Sequence, residues 1–85
     1  MIVNKEILKK QIIYRSMHRG TKEMDLLLGN FVKKYINELN DTELKDLAKL
    51  LFFDDEVIYK WYIEKSSNKH IPKTKVSTML KNFKL

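Results

Sequence analysis

Eighty-five residues carry 44% hydrophobic and 33% charged side chains with a formal net charge of +6, the balance of one folded domain and not of a disordered tail. A chain of this size buries only about 60% of the surface its unfolded form exposes, which leaves little room for a deep active-site cavity and disfavours an enzyme. The absence of cysteine excludes disulfides, thiolate nucleophiles and cysteine-based zinc sites.

Charge is unevenly placed. Residues 1–22 sum to +5, residues 23–59 to −5 and residues 60–85 to +6, so no single basic face runs through the sequence as nucleic-acid binding would favour. No apolar run approaches the ~20 residues that span a bilayer. The first residues show neither a secretory apolar segment nor an Arg/Ser-rich, acid-poor leader. The expectation is a soluble cytoplasmic protein, monomeric when free, without nucleic acid or membrane insertion.

Apolar spacing is helical nearly throughout, and two glycines and one proline leave strands little support. The first helix is predicted over about residues 4–18, with Asn4 as N-cap and Ile7, Leu8, Gln11, Ile12 and Arg15 on one stripe. Gly20 ends it, by taking the left-handed conformation that closes many helices. A second helix runs from about Thr21 to Leu39, burying Met24, Leu27, Leu28, Phe31, Tyr35 and Leu39. Gly29 inside it marks a close helix crossing. Asn40 and Glu43 have the spacing of a capping box for a third helix over about 41–53, with Leu44, Leu47, Leu51 and Phe52 directed inward. Asp54-Asp55-Glu56 places carboxylates where a fourth helix, about 55–65, begins; capping explains them better than a metal, since no further ligands lie at useful spacing. That helix offers Val57, Ile58, Trp61 and Tyr62 as its core face. A loop at 66–73 leads to Thr74, the cap of a last amphipathic helix over about 74–84 through Val76, Met79, Leu80 and Phe83. This lysine-rich helix is expected to be the most loosely attached. The fold class is all-α: one domain, residues 1–85, built as a compact bundle of about five short helices.

Catalytic groupings are thin. His18 lies near Ser16 and Thr21, but no third orienting group or oxyanion turn accompanies them. His18 and His70 lack the spacing of a metal site, and neither glycine fits a phosphate loop. The informative stretch is Tyr14-Arg15-Ser16-Met17-His18-Arg19-Gly20-Thr21-Lys22-Glu23-Met24-Asp25. It holds the only two arginines among 17 basic residues. A lysine-biased chain keeps arginine where a planar fork of donors does what a point charge cannot. Capping of two helices accounts for Gly20 and Glu23; it does not account for arginine in place of lysine. Arg15, His18, Arg19 and Lys22 gather donors around one turn, a surface suited to gripping a partner's carboxylates and carbonyls. The donors alone place partner binding at Arg15, His18 and Arg19, with no catalytic and no metal site.

His18-Arg19-Gly20-Thr21-Lys22-Glu23-Met24-Asp25, followed by Leu28, Phe31, Tyr35 and Leu39, resembles the assembly factors that promote flavin attachment to succinate dehydrogenase. Their shared pattern is Arg-Gly-x-x-Glu with a nearby aspartate and a downstream phenylalanine. Glu43, Leu50-Leu51, Asp54-Asp55, Tyr59 and Trp61 resemble the family's later landmarks, so the likeness covers about residues 12–64. His18 stands where many members have Arg or Lys, and Thr21 where many have Met. Arg15 lies outside the family motif and rests on the composition argument alone. The resemblance implies a five-helix assembly factor that binds the flavoprotein subunit of succinate dehydrogenase, and often that of fumarate reductase. It implies promotion of the bond between a subunit histidine and the 8α-methyl of FAD, with no FAD held tightly by this chain. By the resemblance, Arg19, Gly20 and Glu23 dock on the subunit and Asp25 joins the partner-binding residues, and Arg19→Lys or Glu23→Ala should lower attachment while thermal stability stays near wild type. The alternative is a small regulatory protein, either DNA-binding or an antitoxin-like binder of another protein, because helix–glycine turn–helix is also the plan of a helix-turn-helix.

Overall fold

Lys5–Met17 (α1), Lys22–Tyr35 (α2), Asp41–Leu50 (α3), Asp55–Glu64 (α4) and Lys75–Asn82 (α5) form five α-helices in the computed structural model, which describes residues 5–64 and 71–84. No strand occurs among the described residues. Asn4, and most of the loop expected at 66–73, lie outside them.

Three helices start on side-chain caps that fix where they begin. Thr21 Oγ1 accepts from the Met24 N–H at 3.3 Å. Asn40 and Glu43 form the expected capping box, Asn40 Oδ1 accepting from the Glu43 N–H (2.8 Å) and Glu43 Oε1 from the Asn40 N–H (2.9 Å). The Asn40 N–H, together with the Lys75 ammonium 3.2 Å away, holds the Glu43 carboxyl below its ordinary value. Thr74 caps α5 through Ser77 in the same reciprocal way.

Helix α2 supplies the largest share of the core. Met24, Leu27, Leu28, Phe31 and Val32 are all buried along it. They meet Ile12 of α1, Leu44, Leu47 and Leu50 of α3, Ile58 and Trp61 of α4, and Val76 and Leu80 of α5 in one apolar cluster. Helix α1 packs on α2 and α3, and α5 on α3 and α4. The radius of gyration, 12.1 Å, matches the ~12 Å of a compact chain of this length. Among the described residues no helix is long and apolar enough to cross a membrane.

Four expectations are corrected. On α1, Ile7 and Gln11 are exposed and burial falls on Ile12 and Ser16, because α1 crosses α2 beside Gly29: a Cβ there would lie 3.8 Å from Met17 Cγ and 4.0 Å from the Ser16 carbonyl. Helix α2 stops at Tyr35 and continues as a turn, with Leu39 still buried beyond it. Phe52 is 68% exposed and not in the core: α3 ends at Leu50, the Phe52 and Phe53 amides turn back onto Lys49 and Leu50, and the helical phase that would have aimed Phe52 inward is lost. Helix α5 is firmly attached. Val76 and Leu80 are buried, the Tyr62 hydroxyl donates to the Phe83 carbonyl, and Phe83 stands edge-on to Phe31 at 5.4 Å.

Candidate functional site

The corner between α1 and α2 is built on Arg19. Its backbone N–H donates to Asp25 Oδ1 at 2.7 Å, tying the corner to the first turn of α2. Its guanidinium reaches the opposite corner, between α3 and α4. Nε donates to Asp55 Oδ1 (2.6 Å), Nη1 to the Leu51 carbonyl (2.6 Å) and Nη2 to the Phe53 carbonyl (2.7 Å). Leu51 is the C-cap of α3, where a cation is favoured by the helix dipole. Asp55 opens α4, and its second oxygen, Oδ2, accepts the Gly20 N–H at 2.7 Å. Arg19 and Asp55 side chains keep only 9% and 20% of their surface. Three donors fixed in one plane serve three separate acceptors, which an ammonium on a flexible stem cannot reproduce.

Gly20 is required by proximity and not by backbone hand. Its φ lies outside the left-handed region, contrary to expectation, and a Cβ at that position would stand 3.2 Å from Asp55 Oδ2. Any larger residue pushes on the carboxylate that holds the turn. The Asp54-Asp55-Glu56 run thus does more than cap: Asp55 bridges two corners, while Glu56 pairs with Lys60 one turn on at 3.8 Å. No cluster of His, Asp or Glu suited to a metal occurs among the described residues.

The other sequence-predicted residues surround this lock. Glu23 is exposed on the first turn of α2 and meets no hydrogen-bonding or ionic partner among the described residues. With Gly20, Thr21, Met24, Asp55, Glu56 and Tyr59 it lines a shallow groove beside the turn. Asp25 is half-buried and acts on Arg19. His18 is exposed, stacked on Tyr14 with ring centroids 4.0 Å apart, and its Nδ1 donates to the Tyr14 carbonyl at 2.8 Å. Arg15 lies with its guanidinium carbon 4.1 Å above the centre of the Phe52 ring. Ser16 is fully buried, its hydroxyl bonded to the Ile13 carbonyl, so it is closed to nucleophilic chemistry.

Arg19 therefore does what a point charge cannot, but it does so inside the fold. Its substitution by lysine is expected to lower stability, unlike the near-wild-type behaviour anticipated from the sequence. What the corner leaves outward is Glu23, the Gly20–Lys22 backbone and the aromatic and basic side chains of α1. Asp55 escaped the sequence reading as a partner of Arg19 because 36 positions separate them and its acidic neighbours supply a sufficient local explanation. The one available signal was Asp54-Asp55 standing among the later landmarks of the family resemblance.

Comparison with known proteins gives a consistent result. A family model described as flavinator of succinate dehydrogenase matches residues 10–84, so the match extends through α5, well beyond the 12–64 span seen in the sequence. The chain is 46% identical over 56 residues to a Scheffersomyces stipitis protein named succinate dehydrogenase assembly factor 2, mitochondrial, covering 66% of this chain and 38% of that one. A Dictyostelium discoideum protein of the same name is 39% identical over 61 residues, 72% of this chain and 43% of its own. One from Saccharomyces cerevisiae is 36% identical over 64 residues, 75% and 40%. The chain spans about two fifths of the length of the curated relatives it matches.

Proposed function

The chain belongs to the family of flavinators of succinate dehydrogenase, and from that premise we propose that it is an assembly factor for the flavoprotein subunit of that enzyme. On this reading it binds the subunit, or the related subunit of fumarate reductase, and promotes covalent attachment of FAD. The partner holds the FAD and supplies the histidine; this chain supplies a surface and is not itself an enzyme. The observation that carries the reading is the family match over residues 10–84, with Arg19, Gly20 and Glu23 at one rigid corner.

The corner suggests how such a factor works. Arg19 and Asp55 fix the path of residues 19–21 from within, and Glu23 stands outward at the start of α2. A surface that does not reorganise on contact loses little entropy in binding. It can hold a client in the arrangement where its own histidine and the flavin meet, which is catalysis by positioning. Glu23, His18 and the corner backbone make the contacts; Arg19, Gly20 and Asp25 hold them in place.

The test is co-expression with the flavoprotein subunit in a host lacking its own factor, followed by denaturing gel electrophoresis and flavin fluorescence in the gel. Fluorescence that rises with this chain supports the reading. Equal fluorescence with and without it refutes the reading, and salt-sensitive binding to duplex DNA would then favour the regulatory alternative. A cytoplasmic location remains only an expectation, and the relatives are named mitochondrial; imaging of a tagged chain decides the compartment.

A further inference from the structure

We infer that Phe52 and Arg15 form a second docking element, an aromatic–guanidinium knob that seats in an apolar pocket of the flavoprotein subunit with a carboxylate at its mouth. The inference rests on the reading of the Arg19 corner as the docking site for that subunit, and it adds the α3–α4 corner to the contact.

Phe52 is 68% exposed, the highest value among the exposed large hydrophobic side chains of the described residues, between Leu51, which is buried, and Phe53, which packs against the core. An isolated exposed apolar residue needs no explanation; this one is held in place. The carbonyls on either side of it, Leu51 and Phe53, are both bonded to the Arg19 guanidinium, and its own N–H is bonded to Lys49. The ring is thus presented on a backbone with little freedom left to lose, the condition under which an aromatic side chain contributes most to binding.

Arg15 completes the knob. Its guanidinium covers the Phe52 ring at 4.1 Å and makes no hydrogen bond or ion pair among the described residues. The guanidinium carbon stands over the ring, and its several N–H donors are left for a partner. A planar fork of donors over an aromatic ring is what lysine cannot offer, which accounts for the second arginine of a lysine-biased chain. An aromatic surface beside an unpaired donor fork selects a partner with an apolar pocket and a carboxylate at its rim. The same guanidinium that fixes the Gly20 turn fixes the Phe52 turn, so the two elements are presented at one end of the molecule.

The experiment titrates the labelled chain against the purified flavoprotein subunit, with thermal melts followed by circular dichroism in parallel. Phe52→Ala should raise the Kd about tenfold or more while its melt stays at the wild-type temperature. Arg15→Gln should raise the Kd less and flatten its dependence on salt. Ile63→Ala, which removes another exposed apolar side chain (55% exposed) from α4, should leave the Kd unchanged. Wild-type binding that persists in Phe52→Ala overturns the inference alone, as does an equal loss in Phe52→Ala and Ile63→Ala. A folded wild-type chain that fails to bind the subunit overturns the docking reading, and this inference with it.

Discussion

At Arg19 the preference for a guanidinium over an ammonium has a geometric cause. One carboxylate oxygen and two carbonyls lie 2.6–2.7 Å from three different nitrogens of the same plane, in a place where the side chain keeps 9% of its surface. Lysine would meet one of these acceptors and leave the others without a donor. Arg19→Lys and Asp55→Asn are each expected to cost about 2–4 kcal/mol, a fall in thermal midpoint of roughly 10–20 °C for a domain of this size. Glu23 behaves oppositely. Exposed and unpaired among the described residues, Glu23→Gln should leave the melt within about 0.5 kcal/mol of wild type while flavin fluorescence of the co-expressed subunit drops. A large loss of stability at Glu23 with normal attachment would refute its assignment to the docking surface. Gly20→Ala falls between the two: the added Cβ, 3.2 Å from Asp55 Oδ2, should shift the carboxylate and lower attachment with a stability loss smaller than that of Arg19→Lys.

Helices were legible where a local rule decides them and obscure where a distant residue does. The Asn40–Glu43 box and the Thr74 cap involve residues three apart, so the starts of α3 and α5 could be read directly. The stripe of α2 could be read because one face of the helix is buried from Met24 to Val32. Helix α1 misled because its burial is set by where α2 crosses it, beside Ser16 and Gly29, and not by its own apolar spacing. Phe52 misled because the end of α3 is fixed by turn hydrogen bonds that shift the helical phase. At the site, the choice of arginine was legible as a demand for a donor fork, but its acceptors, 32 to 36 positions away, were not. Two predictions belong at this scale. At Gly29 an added Cβ meets only ordinary contacts of 3.8 and 4.0 Å, so Gly29→Ala should be neutral or stabilise α2 by up to about 1 kcal/mol in a melt. The carboxyl of Glu43, lowered by the Asn40 N–H and then by Lys75, adds stability that is fully present above its unfolded pKa. That stability is lost as pH falls through its lower folded value. Thermal midpoints of the wild type should therefore decline over that acid window, and Glu43→Gln should flatten the decline.

Taken whole, the molecule is held at its two ends by different means. Away from the Arg19 end, apolar burial of α5 and the Phe31–Tyr35–Phe83 aromatic group close the bundle. At the other end, two corners are joined through the hydrogen bonds of one side chain. Amide exchange should follow this division: in Asp55→Asn the amides of residues 19–21 and 51–55 should lose protection together, with those of α5 left near wild type. Independent opening of the two corners would show that Arg19 does not couple them. The join also has a polarity. Asp55 could accept a cation from any direction, but the position of Arg19 faces two carbonyl oxygens as well as a carboxylate. Exchanging the residues, with aspartate at 19 and arginine at 55, preserves charge balance on paper and sets a carboxylate against those carbonyls. The pair does not commute: the double exchange should melt no higher than the worse single variant, so sequence drift can enter this corner from neither side.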